Sequence, residues 1–292
     1  MLWAVVFVGP WVIGFLLFYL GPILAVFGLS FTSYDVFSPP RWTGLANYQR
    51  AFGGRDNLFA LTVYNTVYFV ILSVPASLAI GLGLAMLVNS KLTPWRNLFR
   101  AIFYAPSIVP LVAAATIWAT MFAPQFGLIN SLLRSVGIEG PNWLASRVWS
   151  KPAIVIMSMW NVGEVMIVFL AGLQGIPRQL YEAAEIDGAR PAQVFFKITI
   201  PMLMPAILFN FVMRVIKAFQ VFQTAYVLTG GGPQNSTNFL ALHLYKQAFE
   251  NLRMGYASAL GVVLFSIVLV FAAVLLRWSD RWTYYAGKTN KR

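Results

Sequence analysis

Glu164, Arg214 and Lys217 are ionisable side chains set inside otherwise apolar runs, MSMWNVGEVMIVFLAGL and PMLMPAILFNFVMRVIKAFQVF. A charge placed at the centre of such a run costs about 3 kcal/mol if it meets hydrocarbon, so each must face a partner or water. Asn210, Arg214 and Lys217 recur at i, i+4 and i+7, which puts them on one helical face too polar for lipid. Two arrangements are open. In one, Glu164 pairs with Arg214 or Lys217. In the other, Glu164 and Asn161 join Asn210, Arg214 and Lys217 around an aqueous cavity, with Trp160 offering a ring face for stacking. Two cations against one acid also leave room for an anionic ligand.

Catalytic chemistry has little to work with. There are no cysteines, and the single histidine, His243, lacks companions and reads as structural. No nucleophile, base and orienter assemble from the chain. The nearest approach to a phosphate loop, Gly287-Lys288-Thr289, has Trp282 where the first glycine is required.

The elements that must position these residues are membrane helices. Of 292 residues, 59% are hydrophobic and 10% charged, against about 25% charged in a soluble domain. The net charge of +12 is dispersed between apolar runs, which excludes a nucleic-acid stripe. A span needs about 20 apolar residues, and six candidates occur: 3–31, 62–88, 98–122, 152–173, 202–228 and 257–276. Lys and Arg are denser in the second and fourth loops and the tail than in the longer first, third and fifth loops. Both termini are therefore expected to be cytoplasmic. Pro10, Pro22, Pro75, Pro106 and Pro110 interrupt spans; broken helices are either re-satisfied by neighbours or face a pathway.

Between the fourth and fifth spans, GIPRQLYEAAEIDGARPAQVFFKITIPML is too polar to cross. Residues 178–186 predict a short helix with Leu180, Ala183 and Ala184 as one apolar stripe. Gly188 is its stop, Pro191 begins a second helix to Phe196, and Pro201 begins the return to the bilayer. The segment is either a solvated linker or a docking surface.

The pattern Glu182-Ala183-Ala184, Gly188, Ile198 and Ile200-Pro201 resembles the cytoplasmic EAA loop of the integral membrane subunits of ATP-binding-cassette importers. The family usually has Leu at the position of Ile200. LAGLQGIPRQLYEAAEIDGA (170–189) is similar to the sugar-importer branch, and FQVFQTAYVLTGGGP (219–233) resembles the first, MalF-like, permease of the maltose and glycerol-phosphate type. GLANYQRAF (44–52), FGLINSLLRSVGI (126–138) and NLRMGYASALGVVLF (251–265) extend the resemblance over nearly the whole chain.

The resemblance implies an all-α, polytopic fold with six transmembrane helices and a cytoplasmic coupling-helix loop. Residues 1–292 would form one transmembrane domain, with a first helix at 3–31, core helices over 62–277 and the EAA-type loop at 176–201. It implies half of the translocation pathway for a sugar or sugar-like solute in a bacterial or archaeal plasma membrane. The partners would be a second homologous permease, two ATP-binding cassette subunits and an external solute-binding protein, with lipid around the spans. The chain itself would hold no cofactor, MgATP belonging to the ATPase subunits. Glu182, Ala183, Ala184, Asp187 and Gly188 would contact the ATPase; Trp160, Asn161, Glu164, Asn210, Arg214 and Lys217 would be candidates for the solute pathway. One rival is an ion-driven secondary transporter, which would call for inverted repeats and a midplane carboxylate cluster; the other is a membrane-embedded enzyme, which would need a catalytic constellation.

Overall fold

A computed structural model describes residues 2–90 and 93–279. Lys91 and the tail cations Arg281, Lys288, Lys291 and Arg292 lie outside the described residues, as does Gly287-Lys288-Thr289.

Four continuous helices are long and apolar enough to cross a membrane: Val6–Leu29, Phe59–Asn89, Pro191–Phe219 and Met254–Arg277. Two bent pairs, Arg96–Ile108 with Leu111–Met121 and Ser150–Met159 with Gly163–Gln174, bring the number to six if each crosses once. The bends are 99° and 45°. The first bend follows Pro106 and Pro110, whose missing N–H groups end a helix. The second falls at Trp160–Val162, where no proline signals it. Pro10 and Pro75 sit inside helices that continue through them.

Several sequence-based boundaries move. The expected fifth span, 202–228, ends at Phe219, and a separate short helix, Gln223–Thr229, follows it. At its other end the helix begins at Pro191 and runs on without a break at Pro201, because a proline near the start of a helical segment lacks only an N–H that the π turn at Phe195–Thr199 already displaces. A two-stranded ribbon, Thr32–Ser33 with Arg41–Trp42, also forms. Short helices Ala46–Phe52, Leu128–Ser135 and Leu240–Tyr245 fill the loops.

The centre of the bundle is Phe59–Asn89, which packs along Gly163–Gln174 and Pro191–Phe219. Buried Val165, Met166, Phe169 and Leu203 close on Ala85 and Val88 there. The Val6–Leu29 helix, by contrast, buries none of its span within the chain. Its exposed Trp11, Phe15, Phe18 and Tyr19 suit lipid or another subunit.

Gly163 fixes the junction between the two bent spans. A Cβ there would stand 2.5 Å from the Phe103 carbonyl oxygen and 2.8 Å from Tyr104 Cα. Backbone cannot yield as a flexible side chain does, so Gly163→Val is expected to cost about 2–3 kcal/mol by overpacking. A thermal melt of the purified chain in detergent checks this; an unchanged midpoint would refute the junction's role.

At one end of the bundle a buried polar cluster joins the first loop to the last span. Asp56 Oδ2 accepts from His243 Nε2 at 2.7 Å and from Tyr256 Oη at 2.6 Å, and Asp56 Oδ1 accepts from the Leu58 N–H. His243 and Tyr256 are both almost fully buried. The Arg50 guanidinium lies 4.9 Å over the Tyr256 ring. His243 is thus structural, held by a carboxylate.

Candidate functional site

Three chain breaks converge on one cavity of about 470 Å³. Pro106 and Leu111 come from the bend in the third span, Trp160 and Asn161 from the bend in the fourth, and Gln220 to Thr224 from the break after the fifth. The unbroken Phe59–Asn89 helix closes it with Phe69, Ser73 and Ser77. Arg214 and Lys217 reach it from Pro191–Phe219. Proline and polar interruptions therefore coincide with a pathway-like space, in the way broken membrane helices are tolerated where they line a cavity.

Of the six cavity candidates named from the sequence, Trp160, Asn161, Arg214 and Lys217 line this space. Glu164 and Asn210 do not. They line an adjoining depression of about 90 Å³ that shares Arg214 and Lys217 with the cavity. The open choice of ion pair resolves toward Lys217, whose Nζ donates to Glu164 Oε2 at 2.5 Å. Arg214 instead donates from Nη2 to the Asn161 carbonyl oxygen at 2.8 Å. Buried Asn210 donates weakly to the Val165 carbonyl oxygen at 3.4 Å, which makes it a helix-to-helix tie.

Ser73, Ser77, Gln220, Gln223 and Thr224 were not anticipated as lining. For the serines a signal existed: Thr62, Thr66, Ser73 and Ser77 fall on the buried face of one helix. The glutamines had none, since they follow a helix end that the apolar run conceals.

The second candidate site is the helix Arg178–Ile186, which occupies the predicted bounds. It stops where expected. Gly188 takes φ +67°, and the Ala189 N–H returns to the Ala184 carbonyl oxygen at 2.9 Å. The predicted stripe divides, however. Ala184 is buried, and Tyr181 ties the helix to the body through Thr199 at 3.2 Å between hydroxyls. Glu182, Ala183, Ile186 and Asp187 face outward, with Ile186 87% exposed. One Ala anchors the helix and the other is presented. Met86, near the end of Phe59–Asn89, borders the same groove as Tyr181 and Glu185. Asp56 precedes the opposite end of that helix, so the buried cluster and this outward helix lie at opposite ends of the bundle.

Residues 77–283 match the family of binding-protein-dependent transport system inner membrane components. The chain belongs to that family. The permease is 39% identical to the probable ABC transporter permease YesP of Bacillus subtilis, over 97% of this chain and 92% of the relative. It is 38% identical to the sulfoquinovosyl glycerol transport system permease SmoG of Agrobacterium fabrum, over 94% of this chain and 89% of that protein. Among solved structures it is similar to a chain of a bacterial ABC transporter that imports the acidic polysaccharide alginate, with a TM-score of 0.82, 25% identity and 94% of both chains covered. The fold is that of an importer permease, a membrane component and not a catalytic subunit.

Proposed function

We propose that this chain forms one half of the translocation pathway of an ATP-driven importer for a sugar or sugar-like solute. The observation that carries the reading is the helix Arg178–Ile186, anchored by Tyr181 and Ala184 while it holds Glu182, Ala183 and Ile186 outward. An anchored, exposed helix at one end of the bundle suits a groove on a separate ATPase. Two ATP-binding cassette subunits bind MgATP there, and their closure tilts the spans around the cavity. A second homologous permease supplies the other wall of the pathway. An external binding protein delivers the solute at the end that carries the Asp56 cluster. Both termini then face the cytoplasm.

The relatives support sugar as the class: SmoG is named for a sulfoquinovosyl glycerol and the structural neighbour for alginate. The cavity is consistent with it, combining the rings of Trp160 and Phe222 with hydroxyls and amides. Ion-driven transport is less well supported, because the Glu164 carboxylate is engaged by Lys217.

The test is a gentle detergent pull-down from native membrane followed by an ATPase assay, with and without Glu182→Lys. An ATPase should copurify with the unaltered chain, and charge reversal at exposed Glu182 should lose or uncouple it. Recovery of no ATPase with either form would overturn the reading.

A further inference from the structure

We propose that the cavity selects a sugar bearing one acidic group, a carboxylate or a sulfonate, and that Arg214 receives that group. The proposal rests on the importer reading and adds the charge of the solute to it. Three charges surround the cavity and its adjoining depression, and they do not cancel. Among the described residues the close contacts between basic and acidic side chains are Lys217 with Glu164 and His243 with Asp56. Arg214 belongs to neither. Its hydrogen bond to the Asn161 carbonyl oxygen uses a small part of a guanidinium that carries five N–H donors. Arg214 lines the cavity, where a planar, permanently charged donor set matches a carboxylate or sulfonate better than an ammonium does.

Two further groups ask for a ligand at the same place. Ser73 is 5% exposed, lines the cavity, and has an Oγ with no hydrogen-bond partner. Asn161 Oδ1 is likewise buried and unpartnered on the cavity wall. Buried polar atoms are almost always satisfied, so an unpaired hydroxyl and an unpaired amide oxygen on the same cavity wall as a guanidinium without a salt bridge describe a site for a polyhydroxy acid. A sugar hydroxyl donates to Asn161 Oδ1, another accepts from Ser73, and the acidic group meets Arg214. The apolar C–H face of the ring lies against Trp160 or Phe222. A volume of about 470 Å³ admits such a ligand.

The experiment measures affinities of D-glucuronate, 6-deoxy-6-sulfo-D-glucose and D-glucose by saturation-transfer NMR. It uses the complex that the chain forms in its membrane, reconstituted in nanodiscs without the external binding protein, whose own selectivity would otherwise enter. At least one acid should bind about tenfold or more tighter than glucose, the scale of a charge-assisted hydrogen-bond pair. Arg214→Gln should bring the ratio to within about twofold of one, and Arg214→Lys should retain part of it. The ratio is read whether or not an ATPase is recovered, so it fails independently of the importer reading. Equal binding of both acids and glucose overturns the proposal, as does an Arg214→Gln loss equal for acid and glucose. Loss of the second permease from Arg214→Gln complexes, with the ratio kept, also overturns it by giving the charge to a subunit contact.

Discussion

Ala183→Trp is expected to abolish uptake while leaving the chain folded and inserted. Ala183 lies on the outward face of Arg178–Ile186 with Glu182 and Ile186, so an indole there meets solvent in the isolated chain and, in the proposed assembly, would meet the ATPase groove. Displacing a helix from the centre of a contact surface removes about 2 kcal/mol or more of association, a loss of at least about 30-fold. Ala184→Trp one position on should behave differently. Ala184 is buried against the body, so bulk there overpacks the chain itself at a cost of about 1–3 kcal/mol. Uptake into membrane vesicles, ATPase recovery and a detergent melt separate the two variants. Wild-type uptake by Ala183→Trp would remove the helix from the coupling path.

Asp56→Ala should be among the most destabilising single changes in the chain. It strips the acceptor from the buried His243 imidazole and Tyr256 hydroxyl together. Removing one partner of a buried pair costs about 3–5 kcal/mol, chiefly because the other group stays desolvated. The same cluster sets a pH dependence. Burial pushes the Asp56 carboxyl upward, but the hydrogen bonds from Tyr256 and His243, the His243 charge and the Leu58 N–H outweigh it and hold the pKa below the ordinary 3.8. A carboxyl depressed on folding stabilises fully above its unfolded value, about 3.9, and loses that contribution as pH falls through the folded value. The melting midpoint should thus be flat in this respect from pH 8 to 5 and fall below about pH 4. Asp56→Asn should flatten the acid limb. An identical limb in the Asn variant would assign it to other groups.

The outward helix was legible because its stop is chemical: Gly188 tolerates φ +67° where another residue would strain. Its facing was only half legible. Leu180, Ala183 and Ala184 form a stripe by spacing, but alanine carries little apolar weight. The decision falls to Tyr181, whose hydroxyl finds Thr199 on the next helix. The spans were legible from apolar length, their breaks less so. Pro106 and Pro110 mark one bend, whereas at the bend of Trp160–Val162 the only local signal is Gly163, which lets the Phe103–Tyr104 backbone close in. The pairing of Glu164 with Lys217 could not be read from spacing, since Arg214 shares that face. It depends on the register of the fourth span against the fifth.

The Asp56 cluster also bears on how the protein is made. Its two side-chain partners lie 187 and 200 residues further along the chain. At a synthesis rate of about 5–20 residues per second, Asp56 waits about 10–40 s for Tyr256 to be added. Until then the Asp56 carboxylate lacks the full pair of its side-chain partners. The cluster closes only after every intervening span is in place with the correct orientation. The contact thus ties the first loop to residues that follow the intervening helices in the chain, and a chain that inserted one span too few would leave Asp56 without both partners.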